Sequence, residues 1–161
     1  MLKRSKKIEW NRLLVSIAMI EAIGIIGGFF SAGAIDGWYM TLNKPWFNPP
    51  NWIFGPVWTV LYLMLAIAWY WLWIDKKGKK LSKIKVLFWV QVGLNALWSP
   101  AFFILRSVEL GLVVMVSLWL TLTCLLKELR IIRPKIFWVL VPYFVWVSFA
   151  AVLNLSIWML N

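Results

Sequence analysis

Histidine is absent from this chain of 161 residues, cysteine occurs once, as Cys124, and there are only six acidic side chains. Each scarcity closes off chemistry. Without histidine and with one thiol, no zinc site, disulfide framework or histidine-ligated haem can be assembled. No paired carboxylates or activated thiol stand ready for acid–base or nucleophilic catalysis, so no conventional catalytic residue is expected, and no metal or cofactor. Cys124 lies in an apolar run and reads as an inert buried or lipid-facing thiol. Charge is also scarce, at 14% of residues, whereas soluble domains carry roughly 25%. Such a chain cannot cover a water-facing surface.

Apolar and aromatic side chains are abundant instead. Hydrophobic residues make up 63% of the chain, the mean hydropathy is +0.80, and tryptophan occurs 14 times. A bilayer core requires about 20 apolar residues per helix. Five stretches meet that length, roughly Leu13–Ile35, Phe54–Ile74, Ile84–Leu105, Leu110–Leu126 and Ile136–Leu160. The fold expected is an all-α, polytopic bundle of five transmembrane helices forming one domain over residues 1–161. Interfacial belts account for some of the tryptophans, but not for those in the middle of the apolar runs.

The net charge of +11 would suggest a nucleic-acid or acidic partner in a soluble protein. Its distribution argues otherwise. With five spans, the N-terminus and the second and fourth loops share one side of the membrane. That side carries fifteen bases: Lys3, Arg4, Lys6, Lys7 and Arg12, then Lys76, Lys77, Lys79, Lys80, Lys83 and Lys85, then Lys127, Arg130, Arg133 and Lys135. The other side has only Lys44 and Arg106. This asymmetry follows the positive-inside rule, and it places the N-terminus in the cytoplasm and the C-terminus outside. The bases are topology signals, reinforced by anionic lipid, and nucleic acid is not an expected partner. The N-terminal bases, apolar run and Ala32-Gly33-Ala34 have the outline of a cleavable leader. However, the run is too long for an h-region and contains Glu21, so it reads as a span.

On a helix, residues return to one face at i+3, i+4 and i+7. Gln91, Asn95, Trp98 and Phe102 share a face of the third span. Phe54, Trp58 and Tyr62 share one on the second, and Tyr143, Trp146, Ala150 and Asn154 share one on the fifth. Amides at membrane depth need partners inside the bundle, so these faces point inward. They are expected either to line an aromatic pocket for a large planar apolar ligand or merely to tie the helices together. Counted at 1.5 Å per residue, Trp58 lies about 6 Å and Trp98 about 10 Å below the outer surface, with Tyr143 and Trp146 near mid-membrane. Pro100 and Pro142 should bend their helices. Gly24, Gly28 and Ala32 form a small-residue ladder suited to close helix contact within the bundle. Glu21 is the one acid well inside a span, either functional or neutral and hydrogen-bonded.

The segment Trp38-Tyr39-Met40-Thr41-Leu42-Asn43-Lys44-Pro45-Trp46-Phe47-Asn48-Pro49-Pro50-Asn51-Trp52 is stiffened by three prolines and predicts a semi-rigid aromatic lid spanning residues 36–53. Pro56 is expected near the first turn of the second span. Together with Gly55-Pro56-Val57-Trp58-Thr59-Val60-Leu61-Tyr62, this segment resembles the defining motif of the tryptophan-rich sensory protein/translocator protein family. Gln91, Leu94-Asn95, Trp98-Ser99-Pro100 and Phe102-Phe103 match a second block. Val141-Pro142-Tyr143, Trp146, Phe149-Ala150 and Leu153-Asn154 match a third. The resemblance covers about residues 20–158.

The resemblance implies five packed helices, often dimeric, so that a homodimer is a candidate assembly, with a pocket capped by the first loop. It implies a receptor or carrier for porphyrin-like tetrapyrroles or other planar apolar ligands, with a role in tetrapyrrole handling or stress signalling. The ligand-binding set implied is Trp38, Tyr39, Trp52, Trp58, Tyr62, Gln91, Asn95, Trp98, Phe102, Tyr143, Trp146 and Asn154. Two alternatives stay open. One is light-dependent protoporphyrin breakdown, for which the matching tryptophans are Trp58 and Trp146. The other is a scaffold whose pocket holds membrane lipid. Animal members carry a sterol motif with a tyrosine and an arginine where this chain has Leu155 and Met159, which argues against cholesterol. Lys44 and Arg106 are the bases on the pocket side available to a ligand carboxylate.

Overall fold

The structure, a computed structural model, describes residues 8–35, 37–75 and 79–161. Much of the N-terminal basic cluster, Asp36, and Lys76 and Lys77 fall outside those residues, as does the side chain of Ala32 in the small-residue ladder. Every regular element among the described residues is helical: α1 (Trp10–Ile35), a single turn α2 (Trp38–Thr41), α3 (Asn51–Ile74), α4 (Lys79–Ser99), a π-helical segment Pro100–Ile104, α5 (Val108–Ile132) and α6 (Pro134–Leu160). Five helices, counting α4 with its π extension, are long and apolar enough to cross a membrane, and the protein is an integral multi-pass membrane protein. Its outer surface agrees with a lipid environment. Phe29, Val113, Val145 and Met159 are all exposed, where a water-soluble bundle would place polar groups. Cys124 is exposed on the same kind of surface.

The helices close a ring in which α1 packs on α3, α3 on α6, α6 on α5, α5 on α4, and α4 back on α1. The two halves of this ring differ. Toward the basic end, Leu65 and Leu72 of α3, Phe88 of α4, Leu118, Leu122 and Leu125 of α5 and Leu140 of α6 are almost wholly buried in one continuous core. Trp69 stacks on Phe88 at 5.3 Å, and Trp119 stacks on Phe144 while donating from Nε1 to Ser148. These tryptophans from mid-run positions are structural. Arg133 and Asp75 form an ion pair across the turns at that end, and Lys83 pairs with Glu128 at 2.7 Å. The opposite half, beneath residues 37–50, is held by a smaller aromatic cluster built on Tyr39, Phe102 and Phe103, and it is not filled.

Several local expectations are corrected. Helix α3 begins at Asn51, so Trp52 lies in its first turn rather than in the loop, Trp58 lies about 10 Å along it, and Pro56 is in its interior, where it frees the Trp52 carbonyl. Pro100 does more than bend its helix, because the backbone widens into a π turn that carries Phe102 and Phe103 inward. Pro142 sits inside α6, which runs unbroken from Pro134 to Leu160. The tight turn before α5 is made by Arg106, at φ 49°, and is capped by Ser107, whose side chain accepts from Leu110 N, with Glu109 in the first helical turn.

The proline-rich loop is anchored rather than free. Tyr39 donates to Asn48 Oδ1 at 2.9 Å, Asn161 Nδ2 donates to Asn43 O, and Asn43 N donates to Asn161 Oδ1. Phe47 packs edge-on against Phe149 of α6. Burial pushes the Tyr39 phenol up to about 12, partly opposed by its hydrogen bond to Asn48, so it stays a neutral donor at any working pH.

Candidate functional site

The unfilled half of the ring holds a cavity of about 470 Å³. Four elements build its walls. The second-span face delivers Trp58 and Tyr62 from α3, one turn apart, with Trp52 at the rim. Helix α4 and its π extension deliver Asn95, Trp98 and Phe102. Helix α6 delivers Trp146 and Asn154, and Tyr39 closes the loop end. Helix α1 supplies the fourth wall, with Glu21, Gly24, Gly28 and Ser31.

Aromatic contacts fix the walls against one another. Trp98 stacks on Phe102 at 5.2 Å, Phe54 meets Trp146 edge-on at 6.1 Å, and Trp58 leans on Tyr62 at 5.8 Å and on Tyr143 at 6.4 Å. A hydrogen-bond chain crosses the bundle beneath them. Tyr62 Oη donates to Asn95 Oδ1 at 2.5 Å, Asn95 Nδ2 donates to Tyr143 Oη at 2.8 Å, and Tyr143 Oη donates to Gln91 Oε1 at 2.9 Å. A second link joins three elements, with Trp98 Nε1 donating to Asn154 Oδ1 and Asn154 Nδ2 donating to the Val108 carbonyl. The Trp146 indole N–H and the Gln91 Nε2 are buried with no partner among the described residues.

Nine of the twelve sequence-derived candidates border the cavity: Tyr39, Trp52, Trp58, Tyr62, Asn95, Trp98, Phe102, Trp146 and Asn154. The other three stand behind it. Trp38 packs edge-on against Phe102 at 5.4 Å. Gln91 and Tyr143 are fully buried and hold the hydrogen-bond chain together. Asn95 and Asn154 both border the cavity and tie helices together, whereas Gln91 only ties them. Among the described residues, only Tyr39 reaches the cavity from the loop proper. Neither Lys44 nor Arg106 borders it, although Lys44 Nζ sits 4.7 Å above the Tyr39 ring.

Sequence reasoning missed the α1 wall. Gly24, Gly28 and Ser31 were visible as small residues at helical spacing, and that pattern reads equally as a helix contact. Gly24 is one, since a Cβ there would lie 2.7 Å from the Tyr62 ring. A Cβ on Gly28 would meet nothing within 4 Å, because that position opens on the cavity.

Known proteins resemble this chain over most of its length. Residues 16–159 match the TspO/MBR family. The chain is 40% identical over 151 residues to the Tryptophan-rich protein TspO of Archaeoglobus fulgidus, covering 93% of this chain and 97% of that one. It is 37% identical to Protein CrtK of Rhodobacter capsulatus, covering 86% and 85%. With the human Translocator protein the identity is 30%, over 83% of this chain and 80% of the other. The matched region takes in all the described cavity walls, and a match of that extent makes this chain a member of the TspO/MBR family.

Proposed function

We propose that this protein is a membrane receptor or carrier that holds a planar hydrophobic ligand of the porphyrin class in the cavity beneath the first loop. The observation that carries this reading is the cavity itself. Its 470 Å³ falls within the range of about 300–1,000 Å³ common to small-molecule sites. Its walls are largely aromatic, from Trp58, Tyr62, Trp98 and Trp146, and the amides of Asn95 and Asn154 are among the polar groups that can set orientation. The relatives' names, sensory protein and translocator protein, fit a ligand-handling role. The positive-inside asymmetry supports a cytoplasmic N-terminus, so the cavity belongs to the outer half of the membrane.

Quenching of intrinsic tryptophan fluorescence by protoporphyrin, in detergent and in the dark, tests the reading. Saturable quenching is expected, and Trp146→Phe, which keeps a smaller ring, is expected to weaken it by only about 2- to 3-fold, part of an aromatic contact worth about 0.5–1.5 kcal/mol. Absence of saturable quenching would end the porphyrin reading and leave a lipid as the occupant. A second reading, light-dependent porphyrin breakdown, has its own support in Trp58 and Trp146 bordering one cavity. It requires loss of the porphyrin absorption band under light in wild type and its retention in Trp58→Phe and Trp146→Phe with binding intact.

Lys44, poised over Tyr39, is the base placed to meet a carboxylate that reaches out of the cavity mouth. Lys44→Gln is expected to weaken a dicarboxylate porphyrin about 2- to 5-fold, an exposed ion pair's worth, and to leave its uncharged diester unaffected. An equal effect on acid and diester would show that Lys44 acts by supporting the loop.

A further inference from the structure

Among the described residues, one charged side chain borders the cavity, Glu21. It sits on α1, eleven residues from Trp10 and fourteen from Ile35, hence about 16 Å and 21 Å from the two helix ends and near the middle of the bilayer. A carboxyl group at that depth is costly unless it is neutralised or paired. Among the described residues Glu21 makes no hydrogen bond, and the ion pairs lie elsewhere, at Arg12–Glu9, Lys83–Glu128 and Arg133–Asp75. The polar groups that border the cavity with it include the Tyr62 phenol on α3 and the side chains of Asn95 and Ser99 on α4, none of them cationic.

Tyr62 cannot serve as its donor, because that hydroxyl proton already goes to Asn95. The cavity that the carboxyl borders is lined as well by the aromatic side chains of Trp58, Tyr62, Trp98 and Trp146. A carboxylate set among aromatic faces favours an organic cation, which pairs with the first and is attracted by the quadrupoles of the second. It disfavours an anionic group brought to the same depth.

We propose that Glu21 is the anchor of the cavity's deep end and selects planar apolar ligands that carry a protonated nitrogen there, with any ligand carboxylate left at the mouth. This inference rests on the reading of the cavity as a ligand site and adds the chemical class of the buried group. Glu21 here is a binding residue, so its substitution is read in the ratio of affinities for charged and uncharged ligands.

Two tricyclic probes test it on the full chain in uncharged detergent: proflavine, which is protonated at neutral pH, and anthracene, which carries no charge. Each is titrated by tryptophan quenching alongside protoporphyrin, for wild type and Glu21→Gln. Wild type is expected to bind proflavine at least about tenfold more tightly than anthracene, and Glu21→Gln to bring that ratio to about one. The wild-type comparison decides the matter even if the variant folds poorly. Equal affinity for the two probes in wild type, or a preference that survives in Glu21→Gln, overturns the proposal. If protoporphyrin still quenches saturably in that case, the cavity remains a ligand site without a cation subsite. If none of the three probes binds, the ligand-site reading falls and this inference falls with it.

Discussion

Gly111→Ala is expected to destabilise the folded protein by about 1–3 kcal/mol, and Gly111→Leu to abolish a monodisperse folded species in detergent. Helix propensity alone predicts the opposite sign, since alanine inside a helix gains about 1 kcal/mol over glycine. The steric effect wins because of what faces α5 at that point. A Cβ on Gly111 would lie 2.6 Å from Cδ2 of Phe102 and 3.2 Å from Asn154 Oδ1. The Phe102 ring cannot retreat, being 2% exposed, stacked on Trp98 and edge-on to Phe103 at 4.9 Å. Asn154 is held as well, by Trp98 and by the Val108 carbonyl. Gly93 supplies the control, because a Cβ there meets nothing within 4 Å. Gly93→Ala should therefore leave the melting temperature unchanged or raise it. Parallel thermal melts followed by tryptophan emission decide the point. If the two alanine variants melt alike, the π turn yields easily and Phe102 is not the rigid wall described above.

The same corner of the molecule shows how far the sequence can be read. The five spans follow from hydropathy and from the distribution of lysine and arginine, because the bilayer imposes a length and a polarity that the chain must display openly. The inward faces of α3, α4 and α6 follow from helical period and from the cost of amides in lipid, and these bring Trp58, Asn95, Trp98 and Asn154 to one cavity. The π turn was not legible. Proline at 100 announces a disturbed helix, but whether it bends or widens depends on how Phe102 and Phe103 pack against α1 and α5, a tertiary matter. Nor was the division of labour between Asn95 and Gln91 legible, since both occupy the same face one turn apart and both bond Tyr143, yet only Asn95 also borders the cavity. Glu21 stood out in the sequence as an intramembrane acid, yet that it borders an open cavity, with Gly28 leaving room on α1, was not legible.

Tyr143→Phe, which removes a single oxygen, is expected to cost about 1–3 kcal/mol in detergent, comparable to an overpacked core. The hydroxyl lies at the centre of the buried chain, where it accepts from Asn95 Nδ2 and donates to Gln91 Oε1. Its loss orphans one donor and one acceptor at once. Gln91 would be left without any partner, since its Nε2 has none already. Interhelical hydrogen bonds in membrane proteins average only about 0.6 kcal/mol, because the unfolded chain in lipid finds other partners. The expected cost exceeds that mean because two groups are affected and Gln91 and Tyr143 are both wholly buried, with no water to substitute. The cycle with Asn95→Leu separates network from packing. Asn95→Leu removes the donor that Tyr143→Phe would orphan, so the double variant should be more stable than the sum of the single losses by roughly 0.5–1.5 kcal/mol. Strict additivity in thermal or denaturant unfolding would mean that the two side chains act independently and that the chain from Tyr62 to Gln91 is not a cooperative unit. Protoporphyrin affinity provides the second readout. Tyr143 stands behind Trp58 and does not border the cavity, so Tyr143→Phe should change affinity less than Trp146→Phe does, while lowering stability more. The reverse order would place Tyr143 among the ligand-contacting residues and the hydrogen-bond chain in the service of binding rather than of the fold.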